Sequence, residues 1–241
     1  ALALSAKDDL NILGFIYNFG GQLFDAAENK IILNSPETVK ALDFLKNLIK
    51  KYNVCPAGAE AFDFYDIASM FHNHKTAIFF GGPYEIGRIY RNFDDGKLAH
   101  AFNPVVAPFP TAAGVKPAAH ISSGGFIVFK QNDNRKKKYV IEFAKFLTAP
   151  ENIKLLESIN YITTRKSANK NLYQKNSLGR EIETYTKIIE KNGISLIGSE
   201  KIHYSELKKY LVSLFETVFQ SEKSTADALN EFDDNVKNVK F

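Results

Sequence analysis

Short apolar runs alternate with longer stretches of helical periodicity along this sequence, and that alternation limits the fold more than any other feature. The run Thr76–Phe80 is almost continuously apolar, as expected for a strand that is covered on both faces. A helix is predicted from Ser35-Pro36-Glu37, which suits a helix start, to about Lys51, because apolar residues then recur three and four positions apart. Strands separated by helices indicate an α/β fold.

Further strands and helices extend this pattern over the whole chain. We predict a strand at Val105–Ala107 and another from His120 to Phe129, interrupted by Ser122–Gly125. Apolar spacing predicts additional helices at 64–71, 86–90, 140–147, 178–193, 207–218 and 224–236. Gly193 occupies the position expected for the C-terminal cap of one of these helices.

Composition and charge argue against several classes of protein. No apolar run in the sequence approaches the roughly 20 residues that cross a bilayer, and 24% charged residues is ordinary for a globular chain. The single cysteine, Cys55, cannot form an internal disulfide, and we predict that it is buried. The basic run Arg135–Lys138 does not converge with aromatic residues into one stripe, so we interpret it as an exposed helix start rather than a nucleic-acid surface.

Candidate catalytic and metal-binding groups are sparse. Asp63 with Asp66, and the pair Asp94-Asp95, could supply the two carboxyls of a glycoside hydrolase, but they fall in turns or on helix faces. His72 and His74 are two positions apart, a spacing that does not direct both rings at one ligand on a helix. We therefore predict no metal site, no cofactor and no catalysis.

The junctions at which apolar strands end carry the clearest functional signal. Tyr84 directly follows Gly82-Pro83, which places an aromatic ring beside backbone that a ligand can approach closely. The segment Ser122–Gly125 offers hydroxyl groups and bare backbone in the same way. An aromatic face combined with such hydrogen-bonding groups suits a polyhydroxylated ligand. Neither Gly20-Gly21 nor Gly124-Gly125 has the spacing of a phosphate-binding loop.

Several segments, in their order and spacing, resemble family 1 of the extracellular solute-binding proteins, the group that includes maltose-binding protein. These segments are the aromatic run and Gly-Gly turn at 15–21, the Asn-Ser-Pro-Glu helix start at 34–37 with Ala-Leu following at 41–45, the strand entry at 71–78, Gly-Pro-Tyr at 82–84, the Gly-Gly strand start at 124–127, the helix segment at 143–151 and the ending at 224–229. The resemblance extends from Ala1 to Asn238.

Two positions depart from the family pattern. His74 stands where the family has glycine, so we predict a strained turn there. Tyr84 stands where the family has a sugar-stacking tryptophan, and the chain contains no tryptophan. The second departure leaves smaller sugars and polyol phosphates open as ligands.

The resemblance implies a type II periplasmic-binding-protein fold, in which two α/β lobes are joined by crossover strands and hold a ligand in the cleft between them. Residues 1–110 are then expected to form the first part of the second lobe, 111–171 the crossover and a partial first lobe, and 172–241 the C-terminal helices of the second lobe. The rest of the first lobe is expected to precede Ala1, which makes the chain a C-terminal fragment. Because the segment Val115–Ala168 would lack its sheet neighbours, we predict a rearrangement of this segment, a strand-swapped dimer or a co-purifying N-terminal fragment.

The function that the resemblance implies is reversible, non-catalytic capture of a mono- to oligosaccharide. The sugar would be delivered to the permease of a bacterial ABC importer, from the periplasm or from an anchored position outside the membrane. The residues expected to bind the ligand are Tyr17, Asn18, Gly82, Tyr84, Ser123, Gly124, Gly125, Arg165 and Tyr204.

Three alternatives stay open. A receptor for glycerol phosphate or another anionic solute needs a cation such as Arg88 or Arg165 aimed into the cleft. A glycan hydrolase needs two facing carboxyls, such as those of Asp63 and Asp94. A surface interaction module would have no cleft for a small ligand.

Overall fold

The computed structural model describes residues 1–94, 102, 104–122, 124–153, 155, 162–165, 179–195, 204–237 and 239. Its helices are α1 (Asp9–Asn18), α2 (Pro36–Lys50), α3 (Phe64–His72), α4 (Pro83–Asp94), α5 (Asn134–Leu147), α6 (Pro150–Ile153), α7 (Gly179–Asn192), α8 (Tyr204–Gln220) and α9 (Thr225–Val236), with a 3₁₀ turn at Ala59–Ala61. Its strands are β1 (Leu2–Ala3), β2 (Phe24–Asp25), β3 (Lys30–Ile31), β4 (Ile78–Phe79), β5 (Ala119–His120) and β6 (Gly193–Ile194).

The strands form three two-stranded sheets within the described ranges. β1 and β4 are parallel, with Leu2 opposite Ile78, and β5 and β6 are parallel, with Ala119 opposite Gly193. β2 and β3 are antiparallel. The mixture of short, mostly parallel pairs and many helices agrees with the α/β class predicted from the sequence.

The chain divides into two compact units. Unit 1 consists of residues 1–81, 108–121 and 189–241, and unit 2 consists of residues 82–107 and 122–188. The sequence-based division kept 82–107 with the N-terminal part of the chain, whereas the structure groups this stretch with 122–188. The assignment of either unit to a particular lobe stays a prediction.

Helix α2 shows how local sequence sets the elements of unit 1. The Ser35 hydroxyl accepts a hydrogen bond from the Thr38 backbone N–H at 3.2 Å, and Pro36 occupies the first turn, where it sacrifices no backbone bond. Leu42 and Leu45, three positions apart, are fully buried on one face. This helix was predicted correctly from its capping residues and its periodicity.

The hydrophobic core of unit 1 lies between α1, α2, α8 and α9. Phe15 from α1, Leu42 from α2, Phe215 from α8 and Leu229 from α9 are all within 1% of complete burial. Phe15 also makes edge-to-face contacts with Phe80 and Phe109, whose ring centroids lie 4.8 and 5.3 Å away. The core therefore joins the first fifty residues of the chain to its last forty.

Unit 2 has a different character. Helix α5 is capped by Asp133, whose carboxylate accepts hydrogen bonds from the Arg135 and Lys136 backbone N–H groups, but no residue of the helix is buried. The side chains of Ile86 and Ile182 are buried, and Glu85 pairs with Arg88 at 2.9 Å. Most of the described apolar residues between 126 and 147 remain exposed.

Two sequence-based expectations about strands are wrong. Val105–Ala107 forms no strand, because Pro104 and Pro108 flank it and no described strand lies beside it. The strand expected at His120–Phe129 is limited to β5, and residues 124–130 have no regular structure. Gly193 directly follows the last residue of α7, where the helix was predicted to end, and it also begins β6, where a side chain would clash with Ile121 at 2.2 Å.

The strained turn predicted at His74 is confirmed. Its φ is +59°, in the left-handed region that glycine adopts freely and other residues adopt uncommonly. Among the described residues, no helix is long and apolar enough to cross a membrane.

Candidate functional site

The end of helix α1 carries two of the residues predicted to bind a ligand. Asn18 is fully buried and joins α1 to the segment 111–118. Its amide nitrogen donates to the Gly14 carbonyl at 2.7 Å and the Ala118 carbonyl at 2.8 Å, and its oxygen accepts from the Thr111 hydroxyl at 2.9 Å and the Ala118 N–H at 3.0 Å. Two donors and two acceptor sites are all that an amide offers, so Asn18 positions this region and has no capacity left for a ligand.

Tyr17 differs from its neighbour in having an unused polar atom. Its hydroxyl is buried and has no hydrogen-bond partner among the described residues. Burial raises the pKa of Tyr17, and the nearby Leu23 backbone partly offsets this rise in pKa without reaching hydrogen-bonding geometry. A buried hydroxyl left in this state costs free energy that a polar ligand atom would recover.

Tyr17 lines a narrow crevice together with His120. The other lining residues are Leu10, Leu13, Gly14, Ala118 and Ile194. Burial lowers the pKa of His120, an effect that the charge of Asp9 partly offsets, so its ring favours the neutral form. The crevice volume is about 10 Å³, which admits at most one water molecule, so the crevice alone cannot hold a sugar.

Tyr204, at the first position of α8, also has its hydroxyl committed within unit 1. It donates to Asp9 Oδ2 at 2.6 Å, while Lys208 Nζ lies 2.9 Å from Asp9 Oδ1. Burial raises the pKa of Tyr204, and the adjacent Asp9 carboxylate raises this pKa further. Asp9 is therefore a buried carboxylate with two partners at the start of α1, where the helix dipole also favours a negative charge.

Gly82 and Tyr84 lie together in unit 2 at the start of α4. A Cβ atom on Gly82 would lie 2.5 Å from the Tyr84 ring, so only glycine allows the ring to take this position. Pro83 begins the helix, and the Glu85 backbone N–H closes the turn onto the Gly82 carbonyl at 3.1 Å. Burial raises the pKa of Tyr185, and the nearby Tyr84 and Glu85 raise this pKa further.

The remaining predicted ligand residues are spread through unit 2. Gly124 and Gly125 face open space, because a Cβ atom added at either position would have no heavy atom within 4 Å. The Arg165 guanidinium is exposed and donates to the Thr148 carbonyl at 3.1 Å. Ser123 lies outside the described residues.

The candidate catalytic acids have structural roles where the structure describes them. Asp63 caps α3: its carboxylate accepts from the Asp66 N–H at 2.9 Å, and the Asp66 carboxylate accepts from the Asp63 N–H at 3.0 Å. Asp94 ends α4, and Asp95 lies outside the described residues. Within the described part of the chain, no group of histidine, cysteine and acidic residues is arranged to hold a metal ion.

A larger groove of about 480 Å³ lies elsewhere on unit 1, between α2 and the start of α9. Several of its polar groups already have partners. Thr225 donates to Asp43 at 2.5 Å, and Lys46 donates to the Ser221 and Lys223 carbonyls. This groove is a weaker candidate than the Tyr17 crevice, because its lining includes none of the predicted ligand residues and no buried hydroxyl without a partner.

Sequence reasoning missed Asp9, Lys208 and His120 as members of the Tyr17 and Tyr204 region. Asp8-Asp9 ahead of an apolar stretch is a helix-start signal that could have identified α1, since the Asp8 carboxylate accepts from the Asn11 N–H. The contact of Asp9 with α8 joins residues 195 positions apart, and one sequence carries no signal of such a distance.

Comparison with known proteins gives a consistent result. A family model described as bacterial extracellular solute-binding protein matches residues 2–154. Maltose-bound MalE3 of T. maritima superimposes with a TM-score of 0.71 at 21% identity, covering 95% of this chain and 56% of that one. An ABC transporter solute-binding protein from Agrobacterium radiobacter K84, in complex with ribitol, gives 0.76 at 19% identity, covering 98% and 58%.

The maltotriose-binding protein of Thermus thermophilus, bound with maltotriose, gives a TM-score of 0.74 at 21% identity, covering 98% of this chain and 60% of that one. The chain thus spans less than two thirds of the length of these solved structures. The fold is that of the type II periplasmic-binding proteins, as predicted. On the family match and this shared fold, the chain belongs to the bacterial extracellular solute-binding proteins.

Proposed function

We propose that the protein binds a saccharide or polyol reversibly and does not alter it chemically. The observation that carries this proposal is the family match, together with solved structures of the same fold that are described as bound to maltose, maltotriose and ribitol. Those ligands share several hydroxyl groups on a small carbon skeleton, which is the chemistry that aromatic faces and single hydrogen-bonding groups recognise.

Two side chains of this chain suit that role. The Tyr17 hydroxyl is buried without a partner among the described residues and can exchange a hydrogen bond with a sugar hydroxyl. The Tyr84 ring is held at the start of α4 by its contact with Gly82 and provides an aromatic face. In this proposal Asn18 and Tyr204 support the site through their internal hydrogen bonds, and Gly124, Gly125 and Arg165 remain predicted contacts.

The absence of catalysis belongs to the same proposal. Of the acids considered for glycan hydrolysis, Asp63 and Asp66 satisfy each other's backbone N–H groups in a capping box. A general acid or nucleophile needs its carboxyl directed at the substrate rather than committed to a helix end. This arrangement supports a binding protein over a hydrolase.

The anionic-solute alternative finds less support. Arg88 pairs with the buried Glu85, and Arg165 donates to a backbone carbonyl. Each guanidinium therefore has a partner within unit 2, whereas a phosphate site would use such groups for the ligand.

Delivery to a membrane permease, and a location in the periplasm or at an anchored position outside the membrane, complete the proposal. Both follow from the described role of the family and of the ABC transporter relatives. A strand-swapped dimer or a co-purifying N-terminal fragment also remains a proposal.

The test is a thermal-shift and calorimetric titration of the full-length gene product with maltose, maltotriose, ribitol and glycerol phosphate. Binding to the native state raises the melting temperature by mass action, so we expect a shift with one of the sugars or with the polyol. A shift from glycerol phosphate alone would replace this proposal with the anionic-solute receptor, and no shift from any of the four would contradict binding of this class.

Variants locate the site on this chain. Tyr84→Ala should weaken the affinity about tenfold or more through loss of the aromatic face, and Tyr17→Phe about fivefold to tenfold through loss of one hydrogen bond. Tyr65→Ala is the matched control, because Tyr65 is an exposed tyrosine in unit 1 at a helix surface. Equal affinities for all three variants would remove Tyr17 and Tyr84 from the site while leaving the function itself intact.

A further inference from the structure

The ring of Tyr84 lies against the residue that precedes helix α4. Side chains of an α-helix tilt toward its N-terminus, so a residue in the first turn covers the backbone just ahead of the helix. Pro83 is the first residue of α4 and Tyr84 the second. Because the pyrrolidine ring of Pro83 fixes its own φ, few backbone arrangements can link Gly82 to Tyr84. The local sequence Gly-Pro-Tyr thus brings the aromatic ring onto Gly82.

The contact between Gly82 and this ring involves one edge of the ring. A Cβ atom on Gly82 would lie 2.5 Å from Tyr84 Cε1, 3.0 Å from Cδ1 and 3.3 Å from Cζ, and these are the nearest heavy atoms beyond the adjacent residues. Carbon atoms in ordinary contact are about 3.5 to 4.0 Å apart. An alanine at this position would therefore displace the ring by about 1 Å or more.

This contact changes the role expected for Gly82. From the sequence, its bare backbone was predicted to let a ligand approach closely. In the structure, the space into which a Cβ atom would point is occupied by the Tyr84 ring. The Gly82 carbonyl also accepts the Glu85 backbone N–H at 3.1 Å. The missing side chain of Gly82 therefore makes room for the ring rather than for a ligand.

Backbone freedom does not explain why glycine stands at this position. The φ of Gly82 lies outside the positive range that favours glycine, so an alanine can adopt the same backbone conformation. The atoms that would clash belong to a side chain that can turn about its χ1 bond, and not to the backbone. Gly82→Ala is therefore a change that moves the Tyr84 ring and leaves the backbone of α4 in place.

We propose that Gly82 is a positioning residue, which fixes the place of the Tyr84 ring and acts on a bound saccharide or polyol through that ring. This inference rests on the proposed function, in which the ring provides an aromatic face for the ligand. A ligand gains from such a face only at van der Waals distance, so a ring displaced by about 1 Å loses part of the contact.

The test is a double-mutant cycle on the full-length gene product, measured by calorimetric titration with maltose, maltotriose and ribitol. Gly82→Ala should weaken the affinity for the probe that binds by about threefold to tenfold. In a protein that already carries Tyr84→Ala, the same substitution should change the affinity by less than about twofold, because the ring is gone. Unchanged affinity in Gly82→Ala overturns the proposal. An equal loss with and without the ring also overturns it, since Gly82 would then contact the ligand directly.

A measurement without ligand separates this inference from the proposed function. In protein labelled with meta-fluorotyrosine, Tyr84→Phe identifies the fluorine resonance of Tyr84, and Gly82→Ala should shift that resonance. Gly21→Ala is the matched control: a Cβ atom there would lie 2.7 Å from Ile16 Cγ2 in unit 1, so the Tyr84 resonance should stay in place.

The fluorine spectrum and the titration fail in different ways. A Tyr84 resonance that does not move in Gly82→Ala overturns the inference whatever the titrations give. Failure of the unaltered protein to bind any of the three probes would instead contradict the proposed function, and with it the part of the inference that concerns the ligand.

Discussion

The two units of this protein use their aromatic residues in opposite ways. Unit 1 buries Phe15, Phe24, Phe215 and Phe219 almost completely, in a core built from helices at both ends of the chain. Unit 2 exposes Phe126, Phe129, Phe143 and Phe146 on a segment and a helix with few neighbours. The comparison teaches that the aromatic residues of unit 1 are stabilised by packing within that unit, whereas these four residues of unit 2 gain little from it.

The test with the largest expected effect compares one buried phenylalanine of unit 1 with one exposed phenylalanine of unit 2. Phe215→Ala should lower the free energy of unfolding by about 3 to 5 kcal/mol, because it removes a fully buried ring and leaves a cavity. Phe143→Ala should change it by less than about 0.5 kcal/mol when measured at low protein concentration, since the ring is exposed. Denaturant titration measures both, and a similar loss from the two variants would abolish the distinction between the units.

A second test asks whether the stability of unit 1 depends on the hydrogen bonds of Asn18 as well as on its hydrophobic core. Asn18→Ala should cost about 3 kcal/mol, because it removes the four hydrogen bonds of a fully buried amide, two of them to the Ala118 backbone. Asn34→Ala is the control: Asn34 makes two side-chain hydrogen bonds at an exposed position, so its loss should cost under about 1 kcal/mol. Equal unfolding midpoints for the two variants would show that the buried hydrogen bonds of Asn18 do not stabilise unit 1.

Tyr204 provides a test with a pH signature. Tyr204→Phe removes the donor to the buried Asp9 carboxylate and should cost about 1.5 to 3 kcal/mol near neutral pH. Because the folded state raises the pKa of Tyr204, the unfolded chain ionises first, and this contribution to stability is lost as pH rises above about 10. The difference in free energy of unfolding between the unaltered protein and Tyr204→Phe should therefore shrink as pH rises above about 10. A difference that stays constant with pH would mean that the Tyr204 hydroxyl does not titrate as described.

The smallest expected effect concerns backbone strain in unit 1. His74→Gly should stabilise the protein by about 1 kcal/mol, because glycine accepts the positive φ of this turn. His74→Ala is the matched control, since it removes the imidazole and keeps the strain. A thermal unfolding series in which alanine stabilises as much as glycine would show that the side chain, and not the backbone, is the cause.

The sequence predicted the elements that local chemistry determines. Ser35 and Pro36 marked the start of α2, and the substitution of glycine by His74 predicted a strained turn that the structure confirms. Helix α1 was missed because its residues are apolar on nearly every side, which hides the helical period. Val105–Ala107 was wrongly predicted as a strand, because β propensity does not say whether a neighbouring strand exists.

The site was less predictable than the fold for a physical reason. Tyr17 and Asn18 are adjacent, and both were predicted to bind the ligand. In the structure the Asn18 amide uses all its hydrogen-bonding capacity within the protein, whereas the Tyr17 hydroxyl has no partner among the described residues. The difference depends on Ala118, which lies 100 positions further along the chain. Local sequence carries the residue types of a site but not the partners that decide which of them are available.

The order in which unit 1 is assembled from the chain has a consequence for its biogenesis. Its core needs α1 and α2 near the N-terminus together with α8 and α9 near the C-terminus. A ribosome adds roughly 5 to 20 residues per second, so α2 waits on the order of ten seconds for its partners to be made. During that interval the nascent chain stays without a closed core, and it therefore remains open to chaperones and to translocation as an unfolded polypeptide.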